Sequence, residues 1–109
     1  MTVITADNPL PIRASSGTAS FTSASGTITT GGTAQDLVAA AHTYSQGMIQ
    51  NQSSGALWVG RGADATADRK SISIPPGGML TFQQGDLDGG QKLSILGVTT
   101  GQAFFAEFK

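Results

Sequence analysis

The stretch Gly47-Met48-Ile49-Gln50-Asn51-Gln52-Ser53-Ser54-Gly55-Ala56-Leu57-Trp58-Val59-Gly60-Arg61 decides the fold class. Gly47 to Gln52 and Ala56 to Arg61 are two short runs on either side of Ser53-Ser54-Gly55, whose small polar residues and glycine predict a hairpin. Strand side chains alternate between faces, so Leu57 and Val59 share one face and Trp58 lies on the other. The same grammar continues downstream. Ser71-Ile72-Ser73-Ile74 alternates strictly and stops at Pro75-Pro76-Gly77-Gly78. Met79 to Gln83 places Leu80 and Phe82 on one face, and Gly85 to Gly90 is a polar loop. Lys92 to Val98 carries Leu93 and Ile95 on one face and Leu96 and Val98 on the other. Either both faces are buried or a bulge switches the register. Thr99-Thr100-Gly101 turns into a last strand in which Phe104, Ala106 and Phe108 alternate with Phe105, Glu107 and Lys109.

Upstream, Thr18 to Ser23 and Thr27 to Thr30 flank Ala24-Ser25-Gly26, which reads as a hairpin or a short connection. Ala34 to Ala41 is too short to nucleate a helix unaided, so it reads as a strand leading into a loop. Seven or eight short strands without a long helix predict an all-β fold, an antiparallel β-sandwich or jelly roll. The expected core is Leu57, Val59, Ile72, Ile74, Phe82, Leu93, Ile95, Phe104 and Phe108. This single domain spans residues 18–109 and follows an extended N-terminal arm, residues 1–17. Pro9 and Pro11 bias Asn8 and Leu10 away from helix. A frayed terminus is one reading of the arm. Val3, Ile4, Leu10 and Ile12 are apolar for a purely solvated tail and support the other, docking on a neighbouring subunit.

Composition narrows the function. A chain of 109 residues is one domain with a thin core. Charged residues are 12%, against about 25% in typical domains. The formal charge of −1 leaves no basic field to neutralise phosphates, which argues against nucleic-acid binding. Cysteine is absent, so disulfides, thiolate nucleophiles and cysteine-based zinc sites are impossible. The N-terminus has neither the basic region nor the apolar run of a signal peptide. The longest apolar run, Leu37 to Ala41, is far short of the roughly 20 residues that span a bilayer. A soluble protein made in the cytoplasm, without a membrane partner, is the expectation.

Residues that could carry chemistry are few. His42 is the single histidine, and neither a metal site nor a Ser-His-Asp arrangement is assembled around it by spacing. Asp86-Leu87-Asp88-Gly89-Gly90 resembles a fragment of a calcium loop but lacks its later ligands, and Asp and Gly are also what turns prefer. Asp64 and Asp68 share a loop with Arg69 and Lys70 and read as a balanced, solvated loop. Gly60-Arg61-Gly62 lacks the residues of a phosphate loop. Asn51-Gln52-Ser53 fits the glycosylation sequon by chance. A small hydrolase would have to draw on Asp36, His42 and Asp86. No catalytic residue, metal or cofactor is therefore expected. Trp58 and Phe105 face away from the predicted core: either both faces are covered in a sandwich corner, or the two residues are candidates for a subunit interface or, less favourably, a sugar-stacking platform.

Met48-Ile49-Gln50-Asn51-Gln52-Ser53-Ser54-Gly55-Ala56-Leu57-Trp58-Val59 is followed by Gly62-Ala63-Asp64-Ala65-Thr66-Ala67 and then Ser71-Ile72-Ser73-Ile74-Pro75-Pro76-Gly77-Gly78. Over about residues 30–109 this motif order resembles small virion proteins of tailed bacteriophages, among them head decoration (cement) proteins and β-sandwich modules of tails and fibres. The resemblance implies a jelly-roll-like, non-enzymatic subunit on the capsid surface of a virion, often a homotrimer, with the major capsid protein as partner. Val3, Ile4, Leu10, Ile12, Trp58 and Phe105 are then the candidate partner-binding residues. The alternative is a carbohydrate-binding or structural module of a phage tail or fibre.

Overall fold

A computed structural model describes residues 20–109. Nine strands follow one another: β1 (Thr22–Ser23), β2 (Gly26–Thr27), β3 (Gln35–Val38), β4 (Gly47–Asn51), β5 (Leu57–Arg61), β6 (Ile72–Ile74), β7 (Met79–Phe82), β8 (Leu93–Gly97) and β9 (Ala103–Phe108). No helix long and apolar enough to cross a membrane occurs among the described residues. The all-β expectation holds. The arm, with Val3, Ile4, Leu10 and Ile12, lies outside the described residues.

The strands form two antiparallel sheets. In the first, β9 is flanked by β4 on one side and by β1 and β2 on the other, and β4 pairs onward with β7. In the second the order is β3, β8, β5, β6. β1 and β2 lie in one register along β9: Ser23 opposes Glu107 and Gly26 opposes Phe104. They are therefore a single extended run, interrupted where the Ser25 hydroxyl accepts from the Ala106 N–H (2.9 Å) and donates to its carbonyl (3.2 Å). The hairpin expected at Ala24-Ser25-Gly26 is not formed, because the pairing partner lies about eighty positions away. With β1 and β2 counted as one, the sheets read 1-8-3-6 and 2-7-4-5, the strand order of a jelly roll.

The second correction concerns the deciding stretch. β4 and β5 do not pair. β4 belongs to the first sheet and β5 to the second, so Gln52 to Ala56 is a corner between sheets. Among the described residues only β5 and β6 are consecutive strands paired with each other. Local turn chemistry reports that the chain reverses, and cannot report which sheet receives the next strand.

The core lies between the inner faces. Ile49, Leu57 and Ile95 are fully buried, with Ile28, Val59, Ile74, Leu93, Phe104, Ala106 and Phe108 around them. Burying one such large aliphatic or aromatic side chain contributes about 1.5–3 kcal/mol. Ile72 departs from the expected core. It opposes buried Val59, yet β6 is an edge strand and leaves it 40% exposed. β8 resolves its own ambiguity by being buried on both faces, without a bulge against β5. On its outer face Ser94 is covered by the loop after β5, where Ala65 donates its N–H to the Ser94 hydroxyl (2.9 Å). Gly60 permits that approach, since a Cβ there would lie 2.7 Å from the Ala63 carbonyl oxygen. Gly47 plays the same part inside: a Cβ would collide with the Phe108 ring and sit 2.6 Å from the Glu107 carbonyl oxygen.

Candidate functional site

A cleft opens at the end of the sandwich where β3 runs into the loop Ala39 to Gln46. It has a volume of about 510 Å³ and lies between Ser23–Ser25, Leu37–His42, Tyr44 and Phe108. Three rings line one side. His42 stacks on Tyr44 (centroids 5.5 Å apart, 29° between planes), and Tyr44 tilts against Phe108 (5.8 Å, 34°). Such offset arrangements align the quadrupoles of neighbouring rings.

Backbone groups fix the His42 ring. Nδ1 accepts from the Tyr44 N–H (3.0 Å), so the neutral ring carries its proton on Nε2 and donates it to the Gln91 carbonyl (2.8 Å). Both ring nitrogens are thus engaged, and what the ring offers the cleft is an apolar face. Ala41, just before it, has φ of 68°, the left-handed region that residues with a Cβ seldom occupy. Its N–H donates to the Gly90 carbonyl (2.7 Å), and a Cβ on Gly90 would come within 2.8 Å of the His42 carbonyl oxygen. The loop before β4 and the loop before β8 therefore close over each other, with Gly90 required at the contact.

The acids are dispersed. Asp64 accepts from Lys92 Nζ (2.6 Å), with Asp36 farther from the same ammonium (3.7 Å). The Asp64 carboxylate in particular holds the Lys92 ammonium above the usual lysine range. Asp68 accepts from the Thr66 hydroxyl (2.6 Å) and the Lys70 N–H (2.8 Å), which hold its carboxyl below the ordinary range. Asp86 accepts from the Gln83 N–H (2.7 Å) in a local turn. Asp36 and Asp86 do not line the cleft that His42 borders. Among the described residues no three His, Asp or Glu side chains come together as a metal site would require.

The two aromatic candidates are separated by the whole thickness of the molecule. Trp58 lies half-buried on the outer face of the second sheet, opposite Leu96 and Ser73. Phe105 lies half-buried on the outer face of the first, opposite Gln50, which in turn opposes Met79. Met48 is diagonal to both Phe105 and Met79, so the three form an apolar V around Gln50, with Glu107 and Thr81 opposite Met48; Met79 is 53% exposed. Sequence reasoning found Phe105 and missed the two methionines, whose alignment depends on the pairing of three strands.

The asparagine of the sequon motif has a structural task. Asn51 is fully buried; its Nδ2 donates to the carbonyls of Gly55 (2.8 Å) and Ile74 (2.9 Å). Its Oδ1 accepts from the Ser53 N–H (2.9 Å) and hydroxyl (2.7 Å). Gln102 extends the network, donating to the Ser53 hydroxyl (3.0 Å) and the Gly55 carbonyl (3.1 Å) while its Oε1 accepts from the Thr99 N–H (3.0 Å). In this fold Asn51 is inaccessible to a glycan. Comparison with protein-family models, curated proteins and solved structures returned no match to the chain.

Proposed function

We propose that this chain is a structural assembly subunit that decorates and stabilises a phage capsid by clamping across capsid-subunit junctions, the major capsid protein being its partner. The observation that carries the reading is the apolar V of Phe105, Met48 and Met79 around Gln50 on an outer sheet face. Aromatic residues and methionine are enriched, and charged residues depleted, at the centres of protein interfaces. Three further features support it: the motif order of residues 48–78, a jelly-roll strand order of a kind that recurs in virion shells, and a low charge content. Fold alone assigns no function, because lectin and cupin domains share this architecture.

In the proposed mechanism the sandwich lies on the shell and the apolar arm, residues 1–17, reaches a neighbouring subunit. A chain lacking residues 1–14 is expected to fold, as judged by a cooperative thermal transition, and to lose binding to capsids stripped of their decoration protein. Binding equal to that of the full chain would refute the clamp. A second reading, a carbohydrate-binding module of a tail or fibre, draws on the cleft beside Tyr44 and His42. Binding of a neutral sugar that Tyr44→Ala abolishes in a folded chain would move the assignment there.

A further inference from the structure

The cleft beside Tyr44 is a gap in the wall of the sandwich. One lip is Ser23–Ser25, where β1 breaks before β2, and the other is Leu37 and Val38 of β3 with the loop that follows. Among the described residues the β1–β2 run and β3 are edge strands, one in each sheet. The gap therefore opens between the two sheets on the flank where both end. Its floor is core: Phe108 is only 1% exposed, and Ala24, Leu37 and Tyr44 pack against the buried cluster.

The chain enters the fold at this lip. β1 begins at Thr22, opposite Phe108, and just before it the Phe21 ring centroid lies 5.3 Å from Lys109 Nζ. Everything N-terminal to Ser20 is thus tethered three positions from Ser23. The sequence of the arm suits the gap. In an extended segment alternate side chains share a face and alternate N–H groups share an edge. Leu10 and Ile12 then lie on one face, with Pro9 and Pro11 on the other. The prolines leave one edge without N–H donors, while Leu10 and Ile12 keep theirs on the opposite edge. A segment that pairs on one side only has the pattern of a terminal edge strand. Ala14-Ser15-Ser16-Gly17, between that segment and β1, has the small residues of a reversal.

We propose that in the free chain residues 8–13 fold back beside β1 as an added edge strand and seat Leu10 and Ile12 in the cleft. A reversal centred on Ser16 brings Ile12 level with Ser20 and Leu10 level with Thr22, at the mouth of the gap. The two aliphatic side chains meet apolar surface from Leu37, Tyr44 and Phe108. His42 offers them only its ring face, because both of its nitrogens are engaged. The added strand also covers the open hydrogen-bonding edge of β1, which would otherwise stand ready to pair with another chain. Tethering makes the contact intramolecular, so a high effective concentration compensates for its small area. Val3 and Ile4 lie beyond the seated segment and stay available to a partner. The inference concerns the free chain and does not rest on the capsid reading.

Isotope-edited NMR on the full chain tests the proposal. Nuclear Overhauser contacts are expected between the ring of Tyr44, the only tyrosine, and the methyl groups of Leu10 or Ile12. A mixture of labelled and unlabelled chains separates the sources. Contacts that cross between copies put a neighbour's arm in the cleft and overturn the proposal, as does the absence of any contact. Trypsin supplies a second readout. Arg13 is the only Lys or Arg in residues 1–17, so cleavage after it reports how often the arm leaves its seat. Ala40→Asp, at an exposed position of the cleft wall, should speed that cut about tenfold, the loss of a contact worth ~1.4 kcal/mol. Leu10→Ser should do the same from the side of the arm, which keeps the test decisive if one variant misfolds. Cleavage at the exposed Arg69 and Lys70 is the reference in the same digest. Equal rates after Arg13 in the wild type and both variants overturn the proposal. Neither result bears on capsid binding, which the arm truncation tests separately.

Discussion

Asn51→Ala provides the sharpest test of what holds the sandwich together. The side chain is fully buried and makes four hydrogen bonds, two as donor and two as acceptor. Its removal does not leave all four partners equally bereft. The single Ser53 hydroxyl proton, within reach of both Asn51 Oδ1 and the Gly55 carbonyl (2.8 Å), is then free for Gly55, which also accepts from Gln102 (3.1 Å) and remains satisfied. The Ser53 hydroxyl keeps Gln102 as a neighbour. The Ser53 N–H loses its side-chain acceptor, and the Ile74 carbonyl loses a donor inside the protein. A buried polar group left without a partner costs about 1–3 kcal/mol, and a half-buried one recovers part of that from water. The expected loss is about 2–4 kcal/mol, which for a domain of this size lowers the Tm by roughly 10–20 °C. Asn51→Asp should be worse than alanine, because it directs a carboxylate at two carbonyl oxygens. Ser53→Ala should cost only about 1 kcal/mol. Urea unfolding followed by Trp58 fluorescence measures all three, since Trp58 is the only tryptophan and is half-buried in the folded state. The slope with denaturant should be unchanged while the midpoint moves. A loss below about 0.5 kcal/mol in Asn51→Ala, or an Asn51→Asp protein as stable as the wild type, would show that the corner is held by its backbone alone.

Further outcomes are expected from the loops between the strands. Ala41→Gly relieves a left-handed backbone that costs an L-residue about 1–2 kcal/mol. It also frees the unfolded chain by about 0.4–1 kcal/mol. The net is a gain of about 0–1.6 kcal/mol, read as a higher urea midpoint, and a clear loss of stability would contradict the strain. For pH, the Asp68 carboxyl is held below its ordinary value in the fold, so its contribution is present above the ordinary carboxylate range and disappears as pH falls through the folded value. Lys92 has the opposite sign: its contribution is full below the ordinary lysine value of 10.5 and is lost as pH rises through the higher folded one. Asp68 is exposed and Lys92 only half-buried, so the effects are small. Asp68→Asn should flatten the acid limb of Tm against pH and leave the alkaline limb alone; an unaltered acid limb would remove Asp68 from the account.

Much of the architecture was readable because alternation is a local property. Leu57 against Trp58, Phe104 and Phe108 against Phe105, and the stop at Pro75–Gly78 each depend on neighbours a few positions away, and each strand stands where its pattern put it. What local pattern does not carry is partnership. Ser53-Ser54-Gly55 signals a reversal, but a hairpin and an inter-sheet corner use the same small residues; the decision rests on Asn51 reaching Ile74, 23 positions on. The Ala24-Ser25 break falls under the same heading, since Ser25 completes the ladder of a strand 81 positions away. The state of His42 was equally hidden, because its Nε2 partner is the carbonyl of Gln91, 49 positions along.

The position of β9 governs how this chain can be made. It is the last strand in chain order, yet it is the inner strand that joins β1 and β2 to β4. Until residues 103–108 are available, β4 and β7 can pair, but the edge of β4 that β9 will occupy lies open, and the run from Thr22 to Thr27 lacks the strand it pairs with in the fold. The first sheet therefore closes only after synthesis has passed Phe108. Until then two unpaired β edges of one polypeptide are presented to every neighbouring nascent chain on the same message. Low temperature, slow initiation and chaperone holding during expression should therefore raise the yield of native protein more than any strengthening of the finished fold.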